Sequence, residues 1–256
     1  MASPYKKIAL VTGAGARIGK EIALALAADG WAVALHYRVS EGPAKEISER
    51  IVSLGGEAAI FQADLADEEA TSDLLPSVAR GLGPVTCLIN NASVFEEDTL
   101  ESATRDSWDL HLNVNLRAPF LLSQIMARDL SISVPGAIIN IIDQRVENLT
   151  PYFMSYTISK ASLWTITQTL AMALAPMIRV NAISPGPVLP SSRQSPESFE
   201  KQYKSTPLGR AVDTSEICAA ARFILAAPSL TGQMITVDSG QHLGWGPMSK
   251  LDGPSE

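Results

Sequence analysis

Seven short apolar runs, none of them alternating polar with apolar, are separated by stretches of helical character, and this rhythm most constrains what the chain can become. The runs fall at 8–12, 32–37, 57–62, 85–89, 137–142, 178–183 and 234–237. A strand with one wet face alternates along its length, whereas a strand covered on both faces does not. The pattern therefore predicts an α/β fold with a doubly wound, seven-stranded parallel sheet and helices on both of its faces. Helices are expected over 17–28, from a cap at Ser40 to residue 54, over 68–81, as one long stretch over 102–130, and over 154–175 and 214–226. The segment 185–207, rich in Ser and Pro, is the one long connection and is expected to be an irregular substrate-binding loop. At 256 residues such a sheet fills the chain as a single domain, 1–256.

Charge and cysteine usage narrow the function. A formal net charge of −7 argues against nucleic acid or an anionic membrane as partner. Cys87 and Cys218 have neither zinc spacing nor a disulfide framework, so they read as buried thiols of a reducing compartment and no metal site is expected. The apolar start at residues 8–11 stops too soon for a signal segment, and no run is long enough to span a membrane. The expectation is a cytoplasmic protein acting on a small molecule.

The first strand ends in Thr-Gly-Ala-Gly-Ala-Arg-Ile-Gly, with Gly13, Gly15 and Gly19 in the turn beside Arg17 and Ile18. Glycines there let the backbone approach a pyrophosphate, which the N-terminus of the next helix attracts through its free N–H groups and its dipole. The end of the second strand selects the dinucleotide. An NAD site needs an acid there to accept from the ribose 2′-hydroxyl, and this strand ends His36-Tyr37-Arg38-Val39-Ser40. Arg38 and Ser40 suit a 2′-phosphate instead, so the cofactor expected is NADPH.

Further segments extend the pattern: Ala63-Asp64-Leu65, Asn90-Asn91-Ala92-Ser93, Tyr156 with Lys160, and the run 179–188 containing Pro185, Gly186 and Val188. With 5 tyrosines and the lysine content of this chain, chance supplies about 0.16 Tyr-x-x-x-Lys pairs, and the one present follows the fifth strand. On a helix, i and i+4 share a face. An ammonium about 4–5 Å from the ring at an effective dielectric near 20 would favour phenolate by roughly 3–4 kcal/mol, which predicts a lowered tyrosine pKa. Together these motifs, in this order, resemble the short-chain dehydrogenase/reductase family, whose members have a Rossmann fold, and the likeness runs along nearly the whole chain. The resemblance implies that Tyr156 and Lys160 are catalytic and that Lys160 also holds the nicotinamide ribose. It implies that Asn115, favoured over Asn113 by its spacing from Trp108, orders water beside the lysine. It places Asp64 and Leu65 at the adenine, Asn91 and Ala92 along the adenosine side, and Pro185, Gly186 and Val188 at the carboxamide. His36 is counted among the cofactor residues, and a homotetramer is implied.

Three departures from the family pattern are polar and point to one pocket: Arg17 and Ser93 stand where glycine is usual, and Asp143 stands where serine is usual. The combination resembles the pteridine reductases and dihydromonapterin reductases, with Phe95 where their aromatic residue stacks on the pterin. That resemblance implies reduction of a C=N bond by hydride transfer, with the proton supplied through Asp143 and Tyr156. Arg17, Ser93, Phe95, Asp143 and Tyr156 would contact the substrate, and Arg17 and Ser93 would also bind the cofactor, Arg17 at its pyrophosphate. A general carbonyl or ketoacyl reductase, or an NADPH-binding regulator without turnover, stays open at this point. His111 reads as a packed or surface residue. His242 is expected near the active site, and the residues after it at the surface or a subunit contact.

Overall fold

The structure is a computed structural model that describes residues 5–131, 133–191 and 194–244. The expectation for the tail beyond 244 lies outside the described residues. Strands β1 (Ile8–Val11), β2 (Ala32–Tyr37), β3 (Ala58–Gln62), β4 (Cys87–Asn90), β5 (Gly136–Ile141), β6 (Ile178–Pro185) and β7 (Met234–Val237) form a seven-stranded sheet in the order β3-β2-β1-β4-β5-β6-β7. Every pairing is parallel. The order reverses between β1 and β4, so the loops leaving their carboxyl ends diverge and open a crevice there.

The absence of alternation is explained by the cores. In β1, Ala9 and Val11 face one cluster with Ile22 and Leu26 of α1 (Arg17–Ala28), Ile47 of α2 (Glu41–Ser53) and Ile217 of α8 (Thr214–Ala226). Ile8 and Leu10 face the other, with Leu74 and Val78 of α3 (Glu68–Gly81) and Leu122 and Met126 of α5 (Ala118–Asp129). A third, smaller cluster places Leu163 of α6 (Met154–Ala173) against Ile142 and Ala182.

Three expectations need correction. The stretch 102–130 is not one α-helix: α4 (Arg105–Leu112) passes through a π-helical turn at Asn113–Arg117 before α5 begins. The segment 185–207 is not wholly irregular, because β6 runs to Pro185 and α7 (Pro196–Lys204) starts behind a Ser195 cap, whose hydroxyl accepts from the Ser198 N–H. Ser40 stands at the N-cap position of α2, but its side chain makes no capping bond.

Candidate active site

The turn after β1 is held from both sides. Thr12 Oγ1 accepts from the Asn91 and Ala92 N–H groups at 2.9 and 3.0 Å, and the Asn91 amide donates to the Thr12 carbonyl at 2.8 Å. Gly13 has φ +64°, a conformation glycine adopts without strain, and a Cβ on Gly19 would collide with the Gly13 carbonyl. Behind the turn, buried His36 accepts from Gly13 N–H through Nδ1 (3.0 Å), so its Nε2 carries the proton and donates to the Ala63 carbonyl at 3.1 Å. Burial lowers the His36 pKa to about 4. His36 therefore shapes the glycine turn from inside rather than presenting its ring to a ligand, which corrects its place among the cofactor contacts.

The cleft side of this turn fits a dinucleotide. The N-cap of α1, Ala16, has no side-chain capping bond, and the first turn contains no acid, so its N–H groups and dipole are left for an anion. Exposed Arg38 and Ser40 lie at the end of β2, where Ser40 abuts the turn: a Cβ on Gly15 would come 3.3 Å from that of Ser40. Ile18 is half-buried at the start of α1. Exposed Asp64 uses Oδ1 to accept from Ala66 N–H at 2.9 Å, while Leu65 is buried beneath it. After β6, Gly186 is required by crowding, since a Cβ there would lie 2.6 Å from Asp238 Cα, and Val188 packs inward.

Arg17 adopts φ +55° at the position where glycine is usual in the resembled pattern. Left-handed backbone costs a non-glycine residue about 1–2 kcal/mol. The guanidinium that this conformation presents donates to the Pro190 and Leu189 carbonyls at 2.6 and 3.0 Å, joining the glycine turn to the loop after β6.

The chemical centre lies between β5 and α6. Tyr156 is 5% exposed, and its hydroxyl donates to Asp143 Oδ2 at 2.8 Å, while Asp143 Oδ1 accepts from Arg145 N–H at 2.9 Å. Burial, and after it the charge and hydrogen bond of Asp143, push the Tyr156 pKa well above its ordinary value. This reverses the expected lowering. Lys160, 2% exposed, turns its ammonium 2.8 Å from the Ile141 carbonyl, and burial lowers its pKa to about 8. Burial first, and the carboxylate after it, hold the phenol protonated in this geometry.

Asn115 lies inside the π-helical turn and is fully buried, whereas Asn113 is exposed. A π turn closes an i→i+5 bond, here from Ala118 N–H to the Asn113 carbonyl. The Asn115 amide accepts from Val94 N–H at 2.8 Å and donates to the Val94 carbonyl and Ser159 Oγ at 2.9 and 3.0 Å. Ser93 Oγ lies 3.2 Å from Asn115 Oδ1. The side chain of Asn115 thus holds the 93–94 loop.

Phe95 meets the Tyr156 ring edge-on at 4.7 Å and stacks on Phe153 at 4.4 Å and 5°. Arg145 covers Phe153 at 4.7 Å. Phe153 and Arg145 escaped the sequence reading. The signal for Phe153 was its place three residues before Tyr156, immediately ahead of α6, where it takes φ +58°. His242 is held by Asp238, its Nδ1 2.8 Å from Oδ2. Among the described residues no group of three or more His, Cys, Asp and Glu is placed to hold a metal, and no helix is long and apolar enough to cross a membrane.

A family model described as enoyl-(acyl carrier protein) reductase matches residues 13–242. The crystal structure of FolM alternative dihydrofolate reductase 1 from Brucella canis, complexed with NADP, is 45% identical, covers 95% of this chain and 97% of its own, and superposes with a TM-score of 0.91. L-xylulose reductase of Mesocricetus auratus is 35% identical over 91% of this chain and 95% of its own length. A 3-oxoacyl-[acyl-carrier-protein] reductase of Staphylococcus epidermidis is 31% identical over 93% of this chain and 99% of its own.

Proposed function

The chain belongs to the short-chain dehydrogenase/reductase family, and we propose that it is an NADPH-dependent reductase of a dihydropteridine C=N bond. The observation that carries this reading is the Tyr156–Asp143 hydrogen bond of 2.8 Å with the Phe95 ring 4.7 Å from Tyr156. A flat heterocycle needs an aromatic platform, and reducing its C=N bond needs a hydride on carbon and a proton on nitrogen. NADP binding by the Brucella canis protein supports the cofactor, and so does the uncapped α1 terminus beside Arg38 and Ser40.

NADPH supplies the hydride when bound. The glycine turn and α1 hold its pyrophosphate, Arg38 and Ser40 its 2′-phosphate, and Asp64, Leu65, Asn91 and Ala92 its adenosine half. Lys160 holds the nicotinamide ribose, and Pro185, Gly186 and Val188 the carboxamide. Tyr156, kept protonated by burial and Asp143, delivers its proton to the ring nitrogen, and Lys160, charged at neutral pH, offsets the phenolate left behind. Phe95 stacks on the substrate, Ser93 and Arg17 bond its polar edge, and Asn115 positions the loop that carries Ser93 and Phe95. The assembly is a homotetramer in the cytoplasm.

An Asp143→Ser substitution tests the substrate class. Loss of pterin reduction with ketone reduction retained supports the reading. Equal loss of both, or loss of neither, contradicts it and favours a general carbonyl reductase, the activity type that the xylulose and oxoacyl reductase relatives' names describe.

A further inference from the structure

Next to the catalytic centre, and used by none of the steps above, is a buried chain of three polar side chains. Asp98 is 2% exposed, and Ser155 and His111 are both 0% exposed. Ser155 immediately precedes Tyr156 in the first turn of α6. Its N–H donates to Asp98 Oδ1 at 3.1 Å, and its hydroxyl donates to Asp98 Oδ2. His111 Nδ1 lies 2.7 Å from Ser155 Oγ, and His111 Nε2 accepts from Glu96 N–H at 3.0 Å. The His111 ring also meets the Tyr156 ring edge-on at 6.0 Å.

These bonds fix the tautomer. Because Nε2 accepts from a backbone N–H, the proton sits on Nδ1 and is given to Ser155 Oγ, whose own proton goes to Asp98. A positive charge on the imidazole would place Nε2–H against Glu96 N–H, two donors facing each other. Burial holds the His111 pKa below its ordinary value, against the opposing pull of the Ser107 carbonyl and of the Asp98 and Glu96 carboxylates. One side of the ring therefore grips the loop that carries Phe95, and the other grips the helix turn that carries Tyr156.

We infer that His111, as the neutral Nδ1–H tautomer bridging Glu96 N–H and the Ser155–Asp98 pair, is the positioning residue that sets the Phe95 stacking platform against the Tyr156 acid. The inference rests on the proposed roles of those two side chains. The two nitrogens then have separable tasks: Nε2 serves substrate binding, and Nδ1 serves proton delivery.

The test uses two near-isosteres in the full chain. The amide of Asn reaches the Nδ1 position and that of Gln the Nε2 position. His111→Asn keeps the link to Ser155 and releases the loop, so KM for the substrate rises about five- to tenfold, the equivalent of one lost hydrogen bond, with a small change in kcat. His111→Gln keeps the loop and releases α6, so kcat falls by up to about 100-fold, the size of effect a 1 Å misplacement produces, with a small change in KM. Fluorescence titration with NADPH checks that both variants fold. Long-range proton–nitrogen spectra of the wild type, whose 3 histidines are separately assignable, read the tautomer directly: Nδ1–H at His111 and Nε2–H at His36. His111 found as the Nε2–H form, or variants that shift kcat and KM together, overturns the inference. A wild type that reduces ketones but no pterin removes the pterin reading alone, and the same split is then measured on the ketone.

Discussion

Tyr156 and Lys160 carry opposite electrostatic histories. The phenol is held protonated by burial and by Asp143, whereas the ammonium is pulled toward neutrality by burial alone and titrates at about 8. Tyr156→Phe should therefore lower kcat by about 10²–10⁴-fold, the range for losing a general acid, while NADPH titration shows unchanged affinity. Lys160 is charged below about pH 8 and neutral above it, so reductive turnover should fall as pH rises through that value. A pH–rate profile flat to pH 10 would contradict this. His36 supplies a stability signature: its folded pKa of about 4 is depressed from 6.5, so the unfolded chain binds the extra proton between those values. Its contribution, about 3 kcal/mol, is present above pH 6.5 and lost as pH falls toward 4. Denaturant melts of His36→Asn, which keeps an acceptor for Gly13 N–H, should lose that part of the acid sensitivity. Spacing singled out Tyr156 with Lys160, and the family resemblance singled out Asp143, which the Tyr156 hydroxyl reaches at 2.8 Å. The direction of the Tyr156 shift was not legible, because it is set by the burial of the ring and the approach of the Asp143 carboxylate, and spacing along the chain shows neither.

Among the elements, the π turn at Asn113–Arg117 was invisible in sequence, because apolar residues persist across it and the i→i+5 step leaves no composition signal. The helix α7 does carry a signal, since Ser195 followed by Pro196 is a cap-and-first-turn signature, but it is set among the Ser and Pro residues that make 185–207 read as one irregular connection. The Arg17 contact with the loop after β6 required the positive φ at Arg17, which no pattern announces. Replacing Arg17 with Gly relieves about 1–2 kcal/mol of backbone strain but removes two hydrogen bonds to Leu189 and Pro190. Global stability should shift by less than about 1 kcal/mol, and limited proteolysis near residue 190 should accelerate. Unchanged protection of that loop would show that the guanidinium does not hold it.

For the whole molecule, the seven parallel strands were legible from their lack of alternation, whereas their order, and with it the crevice between β1 and β4, comes from how the strands pair in space. Assembly is a separate matter. Met172 on α6 is 74% exposed, and elsewhere Leu112, Leu116, Phe120 and Ile166 line a depression between neighbouring helices together with Asn113 and the Glu68–Arg117 ion pair. The homotetramer is a proposal that rests on the family resemblance and on the apolar character of the helices around 104–130 and 154–175. Light scattering should give four times the chain mass of 27.3 kDa, and a monomer would remove the claim. The central claim is tested most directly by following NADPH oxidation by the purified protein with dihydrobiopterin, dihydromonapterin and dihydrofolate beside a panel of simple ketones. Rapid turnover of a pterin, abolished in Asp143→Ala and Tyr156→Phe, is the predicted result. Turnover of ketones alone would leave the fold and cofactor standing and would contradict the roles given to Arg17, Phe95 and Asp143.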